Sequence, residues 1–141
     1  MDFWKREYDR CNNGMTVNGY RITGDHYFFL NYYRLPSTEV EKAGQGRGLI
    51  FPAFLDKQYE YFHYIEMAQT LKMDVLSVKS RSVGFSEIGA SILVNNYTTR
   101  RNTHNVVIAA TEKYVTDSLK KAWLQLENLN QDTEGGMRHV R

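Results

Sequence analysis

The segment from residue 74 to residue 129 constrains the fold most, because short apolar runs alternate along it with stretches of helical spacing. Val75–Val78 is an apolar strand candidate, and residues 86–97 place their aliphatic side chains on one helical face. Asn105–Ala110 is a second apolar run, and Thr111 can cap a final helix. The order strand, helix, strand, helix predicts an α/β fold with a βαβ unit, parallel strands and a right-handed crossover.

The turn between the first predicted strand and its helix has the composition of a phosphate-binding loop. The usual pattern is G-x-x-x-x-G-K-[ST] between a strand and a helix. Here the eight residues are Lys79-Ser80-Arg81-Ser82-Val83-Gly84-Phe85-Ser86. Gly84 and Ser86 match the second glycine and the hydroxyl that binds magnesium, whereas Phe85 takes the usual lysine position and Lys79 that of the first glycine.

The displaced lysine is compatible with phosphate binding. An ammonium group acts as a point charge on a flexible stem, so Lys79 can reach the same phosphates from the front of the loop. Arg81 can add a second cation, because a guanidinium pairs well with phosphate oxygens. The alternative is a basic, serine-containing turn without a ligand, and the flanking predicted strands and helix favour the phosphate-binding loop.

The first 50 residues differ in character from the rest. Residues 2–12 predict a short helix closed before Gly14, and Asn18-Gly19 predicts the turn of a β-hairpin. Residues 26–35 are aromatic on every face, which predicts a buried segment beneath another element. Residues 37–48 are polar and glycine-containing, as in a loop, and a further helix is predicted from about Leu55 to Leu71.

Composition places the chain among soluble globular proteins. Of its 141 residues, 42% are hydrophobic and 24% are charged, and the net charge of +2 is too small to argue for nucleic acid by itself. Cys11 is the single cysteine, which excludes an internal disulfide and fits a small buried side chain in a reducing compartment. No stretch approaches the ~18 apolar residues that span a bilayer. We therefore expect a soluble protein inside the cell, with no membrane partner.

Residues 79–86 resemble the variant P-loop of phage terminase large subunits, including a branch with the lysine at the front of the loop. Asp56-Lys57-Gln58 resembles the glutamine motif with which these and helicase-like ATPases recognise adenine. Asn105–Ala110 and the helix after it resemble the family's second strand and helix. Trp4 and the aromatic stretch 27–32 are similar to the N-terminal lead-in of some members.

The resemblance implies a function in viral DNA packaging. It implies a partial P-loop NTPase core of the RecA-like type, with residues 1–50 as an aromatic-rich lead-in and residues 51–141 as the N-terminal half of the ATPase domain. Such an ATPase hydrolyses ATP with Mg²⁺ to translocate double-stranded DNA into a procapsid. The implied partners are the portal protein, the small terminase subunit and further copies in a homo-oligomeric ring, in the cytoplasm of the bacteriophage's host.

Site residues follow from the same resemblance. Lys79 and Arg81 have the catalytic positions, and Ser86 binds magnesium that accompanies ATP. The nucleotide contacts are Gln58, Lys79, Ser80, Arg81, Ser82, Val83, Gly84, Phe85 and Ser86. The amide of Gln58 offers a donor and an acceptor, which suit N7 and N6 of adenine; an exposed helix glutamine is the equal alternative. Phe54 and Tyr59 can stack on a base, although the abundance of aromatic residues favours a core role.

The acidic residues that complete an ATPase are missing from the pattern. Magnesium binding and orientation of the attacking water use carboxylates at the end of an apolar strand, and no apolar strand follows Ala110. We therefore expect a fragment or truncated product that binds nucleotide and turns it over poorly. Two alternatives remain: a helicase-like P-loop ATPase fragment, and a non-enzymatic interaction domain with a degenerate P-loop.

Overall fold

A computed structural model describes residues 2–37, 48–79 and 84–133. Within these ranges the protein is mixed α/β and mostly helical, with five helices and two small antiparallel sheets. The elements in chain order are α1 Phe3–Asn13, β1 Met15–Val17, β2 Tyr20–Ile22, α2 Gly24–Tyr32, β3 Leu35–Pro36, β4 Leu49–Ile50, α3 Asp56–Leu71, α4 Phe85–Thr99 and α5 Glu112–Asp132.

The first helix and the hairpin confirm the local predictions. α1 ends at Asn13, its C-cap residue Gly14 has φ +75°, and β1 pairs with β2 in antiparallel register. The hairpin turn consists of Asn18 and Gly19, with φ values of +50° and +84°. Both residue types tolerate positive φ, so the turn chemistry fixes the hairpin.

The aromatic segment forms α2, a helix buried on several sides. The hydroxyl of Thr23 caps it by accepting a hydrogen bond from the backbone N–H of His26 at 3.3 Å. At its start, a Cβ on Gly24 would lie 2.5 Å from the carbonyl oxygen of Cys11, so only glycine allows this close approach of α2 to α1. The prediction of a buried segment is confirmed.

Two core clusters explain why the aromatic segment lacks helical periodicity. Phe28 of α2 packs into the first cluster and Phe29 into the second, so adjacent residues are buried in opposite directions. The first cluster contains Cys11, Tyr27, Phe28, Val94 and Leu129, and the second contains Phe29, Tyr33, Phe62, Ile88 and Ala90. Each cluster joins residues from both sides of the predicted domain boundary at 50/51, and the division into two parts stays a prediction.

Arg34, which follows α2, is hydrogen-bonded and ion-paired to α5. The backbone N–H of Arg34 donates to Oε1 of Gln125 at 2.9 Å, and Nε2 of Gln125 donates to the carbonyl of Arg34 at 2.6 Å. The guanidinium of Arg34 also forms an ion pair with Asp132 at 2.8 Å. One side-chain amide thus satisfies both backbone groups of a residue outside regular structure.

The three longer predicted helices are present as α3, α4 and α5, and α4 packs against α5. Thr111 is the N-cap residue of α5 as predicted, but its side chain makes no capping hydrogen bond. Among the described helices, none combines the length and the apolar composition that a membrane span needs.

The two predicted parallel strands are not formed. Residues 73–79 and 103–109 are neither helix nor strand, and the described strands pair only as β1–β2 and β3–β4. Exposure is high for Leu76 (86%), Val78 (94%), Val106 (77%) and Ile108 (88%). Parallel strands are stable when both faces of their sheet are covered, and these four side chains are open to solvent. The predicted βαβ unit is therefore wrong for the described structure, although the mixed α/β class is confirmed.

Candidate functional site

The described part of the predicted nucleotide site lies where α3, residues 77–79 and the start of α4 approach one another. The hydroxyl of Ser77 donates to the hydroxyl of Tyr61 at 3.3 Å, and the ring of Tyr61 lies 4.2 Å from that of Phe85. These contacts bring the segment before the loop and the helix after it onto α3. Four of the predicted site residues, Ser80, Arg81, Ser82 and Val83, lie outside the described residues.

Gln58 lies against Gly84 and is buried. Only 8% of Gln58 is exposed, and its Oε1 is buried without a hydrogen-bond partner among the described residues. A Cβ built on Gly84 would lie 3.4 Å from Nε2 of Gln58. The interpretation of Gln58 as an exposed helix glutamine is therefore wrong. A buried amide with an unsatisfied acceptor is costly unless a ligand or water completes it.

Gly84 has the backbone conformation that the start of α4 requires. It is the N-cap residue, with φ +77° and ψ +9°, and as a glycine it has no side chain that could cap the helix. Its carbonyl accepts hydrogen bonds from the N–H groups of Glu87 and Ile88 at 3.0 and 3.1 Å. The N–H groups of Phe85 and Ser86 have no carbonyl partner within the helix, and Ser86 is exposed. Helix N-termini of this kind attract anions.

The ammonium group of Lys79 lies beside the residue that takes the usual lysine position. Its Nζ is 5.8 Å from the ring centroid of Phe85, within the range of a cation–π contact. Phe85 is held in turn by its ring contact with Tyr61. The positive charge that a standard loop carries at its seventh residue is thus found near that residue here, although it comes from the loop's first.

Glu87, which sequence reasoning missed, is the acidic residue nearest to this helix start in the chain. Its Oε2 accepts a hydrogen bond from the hydroxyl of Tyr33 at 2.6 Å, and its Oε1 pairs with the ammonium of Lys121 on α5. Burial, followed by the hydrogen bond to Glu87, raises the pKa of Tyr33 far above its usual value, so Tyr33 is a neutral donor. The position of Glu87 directly after Ser86 was the only signal available in the sequence.

An aromatic layer lies beside Gln58. His26 is fully buried and stacks on Phe62, with centroids 4.7 Å apart and planes at 13°, and on Phe54 at 5.3 Å. Within the part of the chain that the structure describes, neither ring nitrogen of His26 has a hydrogen-bond partner. Burial, with a smaller effect of His63, lowers the pKa of His26 to about 4, so the imidazole is neutral at pH 7. Phe54 is 51% exposed, so the expectation of a core role is wrong for it.

The residues present fit a nucleotide in part. Gln58 has a buried, unsatisfied acceptor, Gly84 leaves a helix start open, and Lys79 supplies a cation nearby. Carboxylates that could hold magnesium are not grouped: no set of three or more His, Cys, Asp or Glu side chains that could bind a metal occurs in residues 2–37, 48–79 and 84–133. Among the described residues of the P-loop-like segment, Ser86 offers a hydroxyl oxygen as a possible ligand.

Comparison with known proteins adds no relative: no protein-family model, curated protein or solved structure matches the chain.

Proposed function

We propose that this chain binds a nucleoside triphosphate with magnesium at the start of α4, as the nucleotide-binding portion of a terminase-type DNA-packaging ATPase. The observation that carries the proposal is that Gln58, which is buried and has an unsatisfied Oε1, lies beside Gly84, the N-cap of α4. Residues from the glutamine-motif-like segment and from the P-loop-like segment are separated in the chain. A site that recognises both the base and the phosphates of one nucleotide requires these two segments to lie within the length of that nucleotide.

Gln58, Lys79 and Ser86 each have a role in this proposal, and so does Arg81, which lies outside the described residues. Lys79 and the helix start hold phosphates, because both present positive charge to the same region. Ser86 offers the hydroxyl that binds magnesium with the nucleotide, and magnesium supplies neutralisation of phosphate charge. Oε1 of Gln58 accepts from the exocyclic amine of adenine. Arg81 adds a second cation from the loop.

The finer architecture and the biological setting belong to the same proposal. The partial RecA-like P-loop core requires Val75–Val78 and Asn105–Ala110, which are not strands in this structure, to pair beneath further strands; their apolar composition supports this part of the proposal. The complete motor is an ATPase that moves double-stranded DNA with the portal protein and the small terminase subunit, as a homo-oligomeric ring in the cytoplasm of a host cell.

The experiment is a calorimetric titration of the 141-residue chain with a non-hydrolysable ATP analogue and Mg²⁺. Lys79→Ala should weaken binding at least tenfold, because a charge-assisted contact to phosphate contributes about 1.5–3 kcal/mol. Lys57→Ala is the matched control, since Lys57 is an exposed lysine directly beside Gln58 in the sequence. Equal effects of the two substitutions, or no binding by the unmodified chain, would reject the proposal.

A second candidate function is a non-enzymatic interaction domain with a degenerate P-loop. The observation that favours it is the high exposure of Leu76, Val78, Val106 and Ile108, since exposed apolar side chains in groups mark protein contacts. The same titration separates the candidates: an interaction domain shows no saturable binding of the ATP analogue.

A further inference from the structure

We infer that Lys121 is a positioning residue for the proposed site: it sets the affinity for polyphosphates by neutralising Glu87. The inference rests on the proposed function and concerns the charge at the same helix start. Lys121 is on α5 and lies outside both the P-loop-like segment and the glutamine-motif-like segment.

Glu87 is in the first turn of α4, three residues after the N-cap Gly84. A carboxylate in this turn interacts favourably with the helix dipole when no other anion is present. A bound phosphate competes for the same positive potential, and the two negative charges repel each other. An uncompensated Glu87 would therefore oppose the ligand that the helix start otherwise favours.

The described contacts compensate this charge with one cation. Lys121 pairs with Oε1 of Glu87, while Oε2 accepts from Tyr33, which is neutral and fully buried. The side chain of Glu87 is 17% exposed and that of Lys121 is 39% exposed, so the pair is partly shielded from solvent. Shielding strengthens an ion pair relative to a fully exposed one. Tyr33 fixes the position of the carboxylate, and Lys121 cancels its charge.

Lys120 provides an internal comparison. It is the preceding residue on α5, is exposed, and has no ion pair among the described residues. Its charge is equal to that of Lys121 and lies on the same helix, but it does not contact Glu87. A general effect of positive charge on α5 would make the two lysines equivalent, whereas neutralisation of Glu87 makes them different.

The test measures the affinity of the full 141-residue chain for an ATP analogue, and for adenosine, in Lys121→Met, Lys120→Met, Glu87→Gln and the Lys121→Met/Glu87→Gln double variant. We expect Lys121→Met to weaken binding of the triphosphate about fivefold, the effect of one unit charge acting over several ångströms near the surface. Lys120→Met should change it less than twofold. The double variant should return to within twofold of the unmodified chain, and adenosine affinity should be constant throughout.

Each outcome decides the inference. Equal losses in the two lysine variants overturn it, and so does a loss in Lys121→Met that Glu87→Gln fails to restore, since that result indicates a purely structural role. Lys121→Arg keeps the charge and should bind like the unmodified chain, which distinguishes charge from misfolding if Lys121→Met is unstable. Absence of binding by the unmodified chain rejects the proposed function itself, and the inference with it.

Discussion

Lowering the pH from 7.5 to 5 should remove about 2 kcal/mol of the unfolding free energy through His26 alone. His26 is fully buried, its ring nitrogens accept or donate no hydrogen bond within residues 2–37, 48–79 and 84–133, and its pKa falls from an ordinary 6.5 to about 4. The unfolded chain binds a proton at this histidine below pH 6.5, and the folded protein does so only near pH 4. The stabilising contribution is therefore complete above pH 6.5 and is lost as the pH falls towards 4.

The magnitude follows from the difference between the two pKa values. From 6.5 to about 4 the difference is about 2.5 units, and at about 1.36 kcal/mol per unit the limiting effect is about 3 kcal/mol. At pH 5 the unfolded histidine is almost fully protonated and the folded one is almost fully neutral, so about 2 kcal/mol of this limit is already lost.

The assay is urea unfolding of the unmodified chain and of His26→Phe at pH 7.5, 6.5, 5.5 and 5. Phenylalanine keeps an aromatic ring against Phe62 and cannot bind a proton. As the pH falls, the unfolding free energy of the variant should decrease with a slope smaller by about one bound proton. At pH 7.5 the variant should be as stable as the unmodified chain, because two unsatisfied polar atoms are removed. His63→Phe is the control: His63 is only partly buried, and this variant should keep the steep dependence.

Parallel stability curves for the unmodified chain and His26→Phe would refute the reasoning. That result would mean that the imidazole is protonated equally well in the folded and unfolded states, and hence that it is not the buried, partnerless group described above.

Three further predictions concern other parts of the protein. Burial raises the pKa of Glu7, but hydrogen bonds, led by that from Tyr32, lower it by more, so the net pKa lies below 4.5. Glu7→Gln should therefore reduce the unfolding free energy by about 2 kcal/mol at pH 7 in urea unfolding. This difference should shrink as the pH falls through the lowered pKa. Gly84→Ala should cost about 1 kcal/mol in thermal unfolding because of the positive φ, whereas Gly89→Ala, in a helix with free space around it, should be neutral or stabilising. Release of phosphate from ATP by the 141-residue chain should stay close to background even with DNA present. Rapid ATP hydrolysis that depends on Lys79 would show that the chain does contain the carboxylate that orients the attacking water.

Local signals predicted much of the helical framework. The end of α1 at Gly14 and the Asn18-Gly19 hairpin follow from residues that tolerate positive φ, which is a property of the residues themselves. α3, α4 and α5 follow from apolar spacing. The aromatic segment at α2 could not be assigned from periodicity, because Phe28 and Phe29 are buried in different clusters.

The predicted strands failed for a reason that sequence alone does not reveal. A strand obtains its backbone hydrogen bonds from other segments of the chain. The apolar composition at 75–78 and 105–110 therefore favours strand conformation but does not show which segment would pair with it. The family resemblance names Gln58 and Gly84 as contacts of one nucleotide, but no sequence pattern predicts that the two residues lie beside each other. The pairing of Glu87 with Lys121 joins residues 34 positions apart, and no local pattern signals it.

The contacts of Arg34 with α5 affect how the chain folds during synthesis on the ribosome. The ion pair partner Asp132 follows Arg34 by 98 residues, which at about 5–20 residues per second are made in about 5–20 s. During that interval α2 cannot complete its burial, because Leu129 of the first cluster has not yet been translated. The nascent chain therefore presents a run of neighbouring aromatic side chains, a surface of the kind that holdase chaperones bind. We expect holdase chaperones to raise the yield of folded protein, and to have little effect on the stability of the protein once it has folded.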